Sequence, residues 1–302
     1  MTARQLLRLA VMLGGLLLLW GAVALTRRHS DEATSGWRRL ASDTTAVDSV
    51  AVRSATDTVV LARAGTTWRV NGFAAGPDEV TELLSALADT AQGELVAESP
   101  GSHTRLGVDS VGARRVQVIG DGKAVLDVLV GGSESGSGTG YLRRVGEPKV
   151  YRIRTNLAEL AARKADDWRD KTIVSLPADS IGSIAVRRGR AEYALRREGK
   201  QWKFGSGVAA DSAKAANLAG ELARIQAAAF ATPAQAASLR FSQPDRRLTL
   251  TTASGRTLAA LLFDSTGSGI WVRHDTSGRQ GTIWRVESWD WDRIIPEKKS
   301  LE

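Results

Sequence analysis

Ser49–Arg53, with the sequence SVAVR, recurs later in the chain as Ser183–Arg187, with the sequence SIAVR, at an offset of 134 residues. Alternating β-branched and polar residues are typical of a half-buried strand. Two such similar strands, so far apart, indicate an internal duplication, and a duplication decides how the rest of the chain is divided.

The same offset aligns further residues of several types: Leu61 with Leu195, Arg63 with Arg197, Gly65 with Gly199, Trp68 with Trp202, Leu84 with Leu218 and Val96 with Phe230. After small insertions, a second group aligns: Val116, Val118, Leu126 and Val130 with Leu248, Leu250, Leu258 and Leu262, then Tyr141 and Arg143 with Trp271 and Arg273, and Val150–Ile153 with Ile283–Val286. Two repeats of about 125 residues match the usual size of a domain.

Each repeat changes its hydrophobic period in the same order. In the first repeat, alternation predicts strands at residues 47–53, 58–63 and 67–70. A helix then begins at Pro77, and Asp211 is the predicted N-cap of its counterpart. Four more strands follow. The predicted fold class is therefore α+β: an N-terminal transmembrane helix, then two tandem repeats of a mostly antiparallel sheet with one main covering helix.

Leu9–Leu25 is a run of seventeen residues without charge, flanked on both sides by arginines. This length is the lower limit for a helix that crosses a hydrocarbon core about 30 Å thick. The run predicts a membrane anchor. The alternative is a cleaved signal peptide, because residues 22–24 have the small-x-small pattern that precedes a cleavage site.

Both interpretations of this run place the rest of the chain outside the cytoplasm. The predicted localisation is the inner membrane, single-pass, with the bulk of the chain extracytoplasmic and periplasmic. The predicted domains are a membrane anchor or signal segment (1–30), a polar tether (31–46), a first α+β repeat (47–171) and a second α+β repeat (172–302).

Composition excludes several classes of protein. With 43% hydrophobic and 25% charged residues, the chain is neither disordered nor a multispan membrane protein. It has no cysteine and three histidines, so disulfides, thiolate nucleophiles and Cys-ligated zinc are excluded, and a histidine metal site is disfavoured. No cofactor and no metal are predicted.

Three features could carry chemistry, and each has a simpler interpretation. The glycine-rich loop 131–140 lacks the Walker and G-x-G-x-x-G spacings and is interpreted as a hairpin connection. His103 and His274 have no nucleophile motif beside them and are interpreted as exposed loop histidines. The acidic run 166–171 is interleaved with cations and is interpreted as a self-compensated junction. The chain is therefore predicted not to be an enzyme, and no catalytic residue is assigned.

Positive charge is concentrated in the second repeat. Residues 47–171 carry a net charge of −1, whereas residues 172–302 carry +6 of the total +8. The candidate binding site is the basic patch on the opening hairpin of the second repeat: Arg187, Arg188, Arg190, Arg196, Arg197, Lys200 and Lys203. Because the repeats are predicted to be exported, nucleic acid is excluded as a partner. The predicted partners are the membrane, anionic envelope components or an acidic protein surface.

Six short motifs occur in a distinctive order: Trp68-Arg-Val, the helix start Pro77-Asp78, Leu106-Gly-Val-Asp109, Tyr141-x-Arg143, Val150-Tyr151 and the exit Asp167-Trp168-Arg169-Asp170-Lys171. Together they resemble the bacterial family of domain of unknown function 4340. Members of that family are typically single-span exported proteins encoded beside gliding-type ABC transporter subunits, and no catalytic residues are established for them. The second repeat departs from the pattern, because Leu239–Pro244 replaces the Leu-Gly-Val-Asp turn.

The residues and the resemblance together predict a membrane-anchored, extracytoplasmic, non-enzymatic binding or scaffold protein. The resemblance implies that it is an accessory of an ABC-type export assembly, with ABC transporter subunits as partners. The alternative is a secreted periplasmic protein that binds an anionic glycan or lipid, which requires cleavage of the leader.

Overall fold

The computed structural model describes residues 40–41, 43–89, 93–133, 138–275 and 281–302. The chain divides into two compact units, Met1–Asp170 and Lys171–Glu302. The predicted membrane span Leu9–Leu25 lies outside the described residues, as does most of the predicted tether.

The first unit is built on one antiparallel sheet. Its described strands are β1 (Val47–Arg53), β2 (Thr58–Ala64), β3 (Thr67–Val70), β4 (Phe73–Ala74), β5 (Gly93–Ala97), β6 (Arg114–Gly120), β7 (Lys123–Ser133), β8 (Thr139–Arg144) and β9 (Val150–Arg154). Their order in the sheet is β4-β3-β2-β1-β6-β7-β8-β9-β5. Residues 77–88, which form a helix, come before β5 in the sequence. β5 pairs with β9, the last strand of the unit.

The inner face of this sheet carries the main core and the helices α1 (Pro77–Ala88) and α2 (Leu157–Ala162). Pro77 begins α1 because its ring already holds the backbone torsion that a first helical residue needs. Val80, Leu83 and Leu87 recur at helical spacing, and all three are buried in one core with the inward-facing strand residues.

The second unit has a larger and a smaller antiparallel sheet. Its described strands are β10 (Thr172–Ser175), β11 (Ser183–Arg188), β12 (Ala191–Glu198), β13 (Gln201–Phe204), β14 (Arg224–Gln226), β15 (Ala229–Phe230), β16 (Arg246–Thr251), β17 (Thr257–Thr266), β18 (Gly269–His274) and β19 (Trp284–Val286). The larger sheet has the order β13-β12-β11-β16-β17-β18-β19-β15, and β10 pairs with β14 in the smaller one.

Helices of the second unit are α3 (Ser212–Leu222), α4 (Pro233–Ser238) and α5 (Asp290–Ile294). The predicted N-cap of α3 is confirmed, because the Asp211 carboxylate accepts hydrogen bonds from the backbone N–H groups of residues 213 and 214 at 3.0 and 3.1 Å. Short 3₁₀ helices complete the described secondary structure of the chain: Pro100–Ser102, Ala165–Trp168, Ala178–Ser180 and Lys298–Leu301.

Each larger sheet also packs part of its outer face, opposite the helices, under an irregular segment. In the first unit Leu106 and Val108 form a small cluster there with Val150. In the second unit Phe241 forms the corresponding cluster with Leu262 and Trp271. The outer face is therefore partly covered by loops rather than by a helix.

Strand register repeats between the units. Ala51 pairs with Val60 and Gln117 in the first unit, and Ala185 pairs with Ala194 and Thr249 in the second. Trp68 and Trp202 each pair with an arginine on the neighbouring strand, at positions 63 and 197. The aligned tryptophans thus occupy the same register position.

The sequence alignment is wrong by one residue in β17. Val118 pairs with Leu126 in the first unit, but Leu250 pairs with Ala259, not Leu258, in the second. The turn before β17 spans residues 252–256, longer than the two-residue turn between β6 and β7, and this shifts the register. Because side chains alternate between the faces of a strand, a shift of one residue reverses the face that each side chain occupies.

The predicted fold class is wrong. Strands outweigh helices in the described residues and form three sheets, and the segments that cover the outer faces are mostly irregular. No helix within the described ranges is long and apolar enough to cross a membrane. Periodicity predicted the main helices but not β5, β15 or the loop covers, because these short segments contain too few residues to show a period.

Candidate functional site

The seven residues of the predicted basic patch lie on β11–β13 and their turns, but they do not form one surface. Three of them have partners within the second unit. Arg188 lies 3.4 Å from Asp292 and 3.6 Å from Glu297. Arg197 donates to the backbone carbonyl of residue 179, and Lys203 pairs with a glutamate, residue 198, at 2.6 Å.

The remaining four cations of the patch are exposed: Arg187, Arg190, Arg196 and Lys200. Within the described ranges, no hydrogen bond or ion pair involves their side chains. Strand alternation places Arg187 and Arg196 on the outer face, and the other two lie in the turns at either end of β12. We call these four residues the outer cations.

Arg247 is the neighbour of the outer cations that sequence reasoning missed. It pairs in register with Arg187 across β11 and β16, so the two guanidinium side chains leave the same face of the sheet. Arg247 lies 3.3 Å from Asp275, and its Nε is buried without a hydrogen-bond partner among the described residues. The sequence around Arg247 did not indicate that it lies next to Arg187, because this depends on the register in which β11 and β16 pair.

An open depression of about 610 Å³ lies on this outer face. Its floor is a row of small residues: Thr249, Ala185 and Ala194 on β16, β11 and β12, and Gly205 directly after β13. The charged residues that border it are Arg187, Glu192, Arg247 and Lys298. We call this depression the trough.

The first unit has the same arginines but no free guanidinium at this place. Arg53 and Arg115 pair in register as Arg187 and Arg247 do. Arg115 donates to both carboxylate oxygens of Asp127, at 2.7 and 2.5 Å, and Arg53 donates to the side-chain oxygen of Gln117 at 3.2 Å. Hydrogen bonding to Asp127, and its charge, raise the pKa of Arg115.

Position 127 of the first unit corresponds to Ala260 in the second. Asp127 pairs with Gln117, and Ala260 pairs with Thr249. The second unit therefore lacks both side chains that satisfy the arginines of the first. Val60, which fills the floor in the first unit, is replaced by Ala194, and this leaves the space of the trough.

A second pair of arginines lies one residue away, on the inner face of the same strands. Arg188 pairs in register with Arg246, and one carboxylate oxygen of Asp292 lies 3.4 and 3.2 Å from them. Both also donate to the backbone carbonyl of Ile295, at 3.3 and 3.2 Å. Burial, and then the charge of Arg188, lower the pKa of Arg246, whose guanidinium stacks 3.7 Å from the centre of the Trp291 ring.

Both histidines named above have structural partners. His103 is buried, and its Nε2 lies 2.8 Å from the carbonyl oxygen of residue 148, so its interpretation as an exposed residue is wrong. His274 lies 3.0 Å from the carbonyl oxygen of residue 173 and packs edge-on against Trp284. Their neighbours are backbone and aromatic groups, which hold the rings in place.

The acidic run 166–171 is held by local contacts in the first unit. Asp166 pairs with Arg169 at 3.0 Å, and the Asp167 carboxylate accepts from the backbone N–H of residue 164 at 2.9 Å. Trp168 is buried in the first core. Across the described part of the chain, no three His, Asp or Glu side chains converge as metal ligands. The glycine-rich loop joins β7 to β8, and its residues 134–137 lie outside the described ranges.

Leu239–Pro244 covers part of the outer face of the second sheet, as the Leu-Gly-Val-Asp turn that it replaces does in the first unit. Leu239 and Phe241 pack on the outer face of the second sheet, as Leu106 and Val108 do on the first. Arg273 stacks 4.8 Å from the centre of the Phe241 ring. The departure from the motif thus changes the residues but keeps the cover.

No curated protein and no solved structure matches this chain. Residues 68–244 match the family described as "Domain of unknown function (DUF4340)". The match begins at Trp68 and ends with the irregular cover of the second sheet at Pro244, so it includes parts of both units. Because it covers more than half of the sequence, the chain belongs to the DUF4340 family.

Proposed function

We propose that this chain is an extracytoplasmic binding protein that contacts a membrane-borne partner through the outer face of its second unit. The observation that carries the proposal is the set of outer cations. Four exposed cations, two on the outer face and two in the turns at either end of β12, have no intramolecular partner among the described residues and attract an acidic partner.

The location outside the cytoplasm is supported by the sequence of the leader. Leu9–Leu25 is apolar and is flanked by arginines, as export segments are. Protease added to intact spheroplasts should therefore digest the chain beyond residue 31. Protection of the second unit until lysis would contradict the proposed location.

The proposed partner is an ABC-type export assembly. This part of the proposal rests on the family resemblance, because members of the family are typically encoded beside such transporter subunits. The outer cations add a physical route to contact, since a basic face is drawn to acidic surfaces and loses that attraction when salt screens it.

The test is retention by native membranes of residues 31–302, which contain the described residues of both compact units and lack the predicted anchor. Replacing all four outer cations by glutamate should weaken retention at least about tenfold, because like charges facing each other at an interface cost several kcal/mol. Rising salt should weaken retention of the unmodified chain as well. Stability should change by less than about 0.5 kcal/mol, because the four side chains are exposed.

A matched control reverses four other exposed cations that have no partner among the described residues: Arg105, Lys123, Arg224 and Arg256. This variant has the same net charge as the first and should be retained like the unmodified chain. Equal loss in both variants would show a response to net charge only. Salt-insensitive retention of the outer-cation variant would contradict the proposed function.

A further inference from the structure

Arg187 and Arg247 form a like-charged pair on neighbouring strands of the second unit. Like charges directly opposite each other in a sheet are destabilising. Arg247 is partly compensated by Asp275 at 3.3 Å, whereas Arg187 has no partner within the described ranges. The pair therefore presents donors to the trough that no other residue in the described ranges uses.

The same strands show what satisfies such a pair. On the inner face, Arg188 and Arg246 share one carboxylate oxygen of Asp292. The matching arginines of the first unit are satisfied by Asp127 and Gln117. On the inner face one carboxylate serves both arginines, whereas in the first unit Asp127 accepts from Arg115 and the side-chain oxygen of Gln117 accepts from Arg53. Carboxylates accept strong charge-assisted hydrogen bonds from guanidinium groups.

We propose that the trough binds a short polypeptide segment through one carboxylate side chain, which accepts from Arg187 and Arg247 as Asp292 does from Arg188 and Arg246. This inference rests on the proposed function, and it names the chemistry that the outer face recognises. Ala260 and Thr249 stand at the positions of Asp127 and Gln117, so the second unit has neither of the first unit's two acceptors.

The charges around the arginines select one carboxylate rather than a polyanion. Glu192 pairs in register with Arg187, and Asp275 lies beside Arg247, so each arginine already has one acid nearby. A polyanionic glycan or lipid surface would bring further negative charge against Glu192 and Asp275.

The dimensions of the trough fit a peptide. Its floor runs from β16 across β11 and β12 to Gly205, which is about 14 Å at the usual strand spacing, and about four extended residues span that distance. A volume of about 610 Å³ is within the range of ligand sites. The small floor residues Ala185, Ala194 and Gly205 leave room for the peptide backbone to approach the sheet.

The probe is the tetrapeptide acetyl-Ala-Glu-Ala-Ala-amide, titrated into the full chain while the arginine side-chain NMR signals are followed. Its comparison is the same peptide with Gln in place of Glu. The Glu peptide should shift the signals of Arg187 and Arg247 and should bind at least about tenfold more tightly, because the charge-assisted bonds need the carboxylate. Equal binding of the two peptides would overturn the inference.

A self-filling variant tests the position of the carboxylate. Ala260→Asp combined with Thr249→Gln gives the second unit the residues of the first and should weaken binding of the Glu peptide at least about tenfold. The control, Ala260→Asn with Thr249→Gln, fills the same volume without charge and should bind within about threefold of the unmodified chain. Equal loss in both would make the effect steric and contradict the assignment. Thermal unfolding of each variant checks that it folds.

The outcomes separate this inference from the proposed function. If reversal of the outer cations abolishes membrane retention and the self-filling variant still binds the Glu peptide, the proposed function stands and the carboxylate site is wrong. If retention survives reversal but the Glu peptide binds and the self-filling variant does not, the trough is a carboxylate site and the proposed partner surface is wrong.

Discussion

The outer faces of the two larger sheets share a strand order and an arginine pair, yet they differ in what the arginines contact. In the first unit Arg115 and Arg53 are held by Asp127 and Gln117. In the second unit alanine and threonine stand at the matching positions, and the trough opens. The difference shows that a duplicated sheet becomes a candidate binding surface when its internal acceptors are lost and its donors are kept.

A second difference concerns the covers of these faces. Gly131 lets the backbone of Leu106 approach closely in the first unit. Asp264 stands at the corresponding position of the second and accepts a hydrogen bond from the backbone N–H of Arg240 at 2.6 Å. One unit thus holds its cover by close packing and the other by a buried carboxylate, while the place of the cover is the same.

The largest expected effect tests whether the paired tryptophans have equal roles. Trp202 is 3% exposed, whereas Trp68 is only half-buried. Trp202→Ala should lower the free energy of unfolding by about 3–5 kcal/mol, and Trp68→Ala by roughly half as much. Denaturant unfolding measures both. The control is Trp289→Ala, which removes a ring that is 68% exposed and should cost about 0.5 kcal/mol or less. An equal loss of unfolding free energy for Trp202→Ala and Trp289→Ala would contradict the assigned burial of Trp202.

A smaller effect concerns the cover of the first sheet. A Cβ at Gly131 would lie 2.4 Å from the carbonyl oxygen of Leu106, so Gly131→Ala should cost about 1–3 kcal/mol through overpacking. Gly132 is the matched control, because a Cβ there would meet no atom within 4 Å. Thermal unfolding should show a clear loss for the first variant and little change for the second. A larger loss of stability for Gly132→Ala than for Gly131→Ala would contradict the close contact between Gly131 and Leu106.

The next effect concerns the acceptor that distinguishes the outer faces. Asp127→Asn removes the charged partner of Arg115 and should lower the free energy of unfolding by less than about 1 kcal/mol, because both side chains are partly exposed to solvent. Added salt should reduce the difference further. Ala260→Asn places the same residue at the corresponding position of the second unit and should leave the free energy of unfolding nearly unchanged. A larger loss at position 260 than at position 127 would contradict the assigned roles.

The smallest expected effect is a difference between α1 and α3 in how the stability of their first turns depends on pH. The N-cap of α1 is Gly76, without a side-chain bond, whereas that of α3 is Asp211. The backbone N–H of Lys214, with that of Ala213, holds the pKa of Asp211 below its ordinary value of 3.8. Because the folded pKa is lowered, the carboxylate stabilises α3 above the unfolded pKa, and the stabilisation is lost as pH falls through the folded pKa.

Amide hydrogen exchange at the start of α3 measures this loss on acidification. Asp211→Asn keeps an oxygen acceptor and should remove the pH dependence from the first turn of α3. The first turn of α1 should lose less protection, since Gly76 has no side chain to accept the hydrogen bonds that Asp211 accepts in α3. Identical acid profiles for both helices would show that the cap does not act as assigned.

Local patterns predicted much of the fold. Alternation and helical spacing are properties of single elements, so they located β1–β3, α1 and the opening hairpin of the second unit before any tertiary contact was known. The alignment failed at β17, because one turn is longer than its counterpart and a small insertion there leaves no mark on the apolar pattern itself.

The candidate site was predicted only in part, because partners far apart in sequence decide which cations are free. Arg188 belonged to the predicted patch, but residue 292 near the C-terminus compensates it. Arg247 was not predicted, although it stands opposite Arg187, because β16 lies about sixty residues further along the chain. Composition identified the basic hairpin, and strand register identified the donors that remain unused.

The most direct test of the central claim exchanges the acceptors between the units. The variant combines Asp127→Ala, Gln117→Thr and Val60→Ala in the first unit with Ala260→Asp and Thr249→Gln in the second. Val60→Ala gives the first unit the small floor residue of the trough. Titration with acetyl-Ala-Glu-Ala-Ala-amide should then shift the arginine signals of the first sheet and no longer those of the trough. Peptide-induced shifts that stay in the second unit after the exchange would contradict the claim that the loss of internal acceptors opens the binding face.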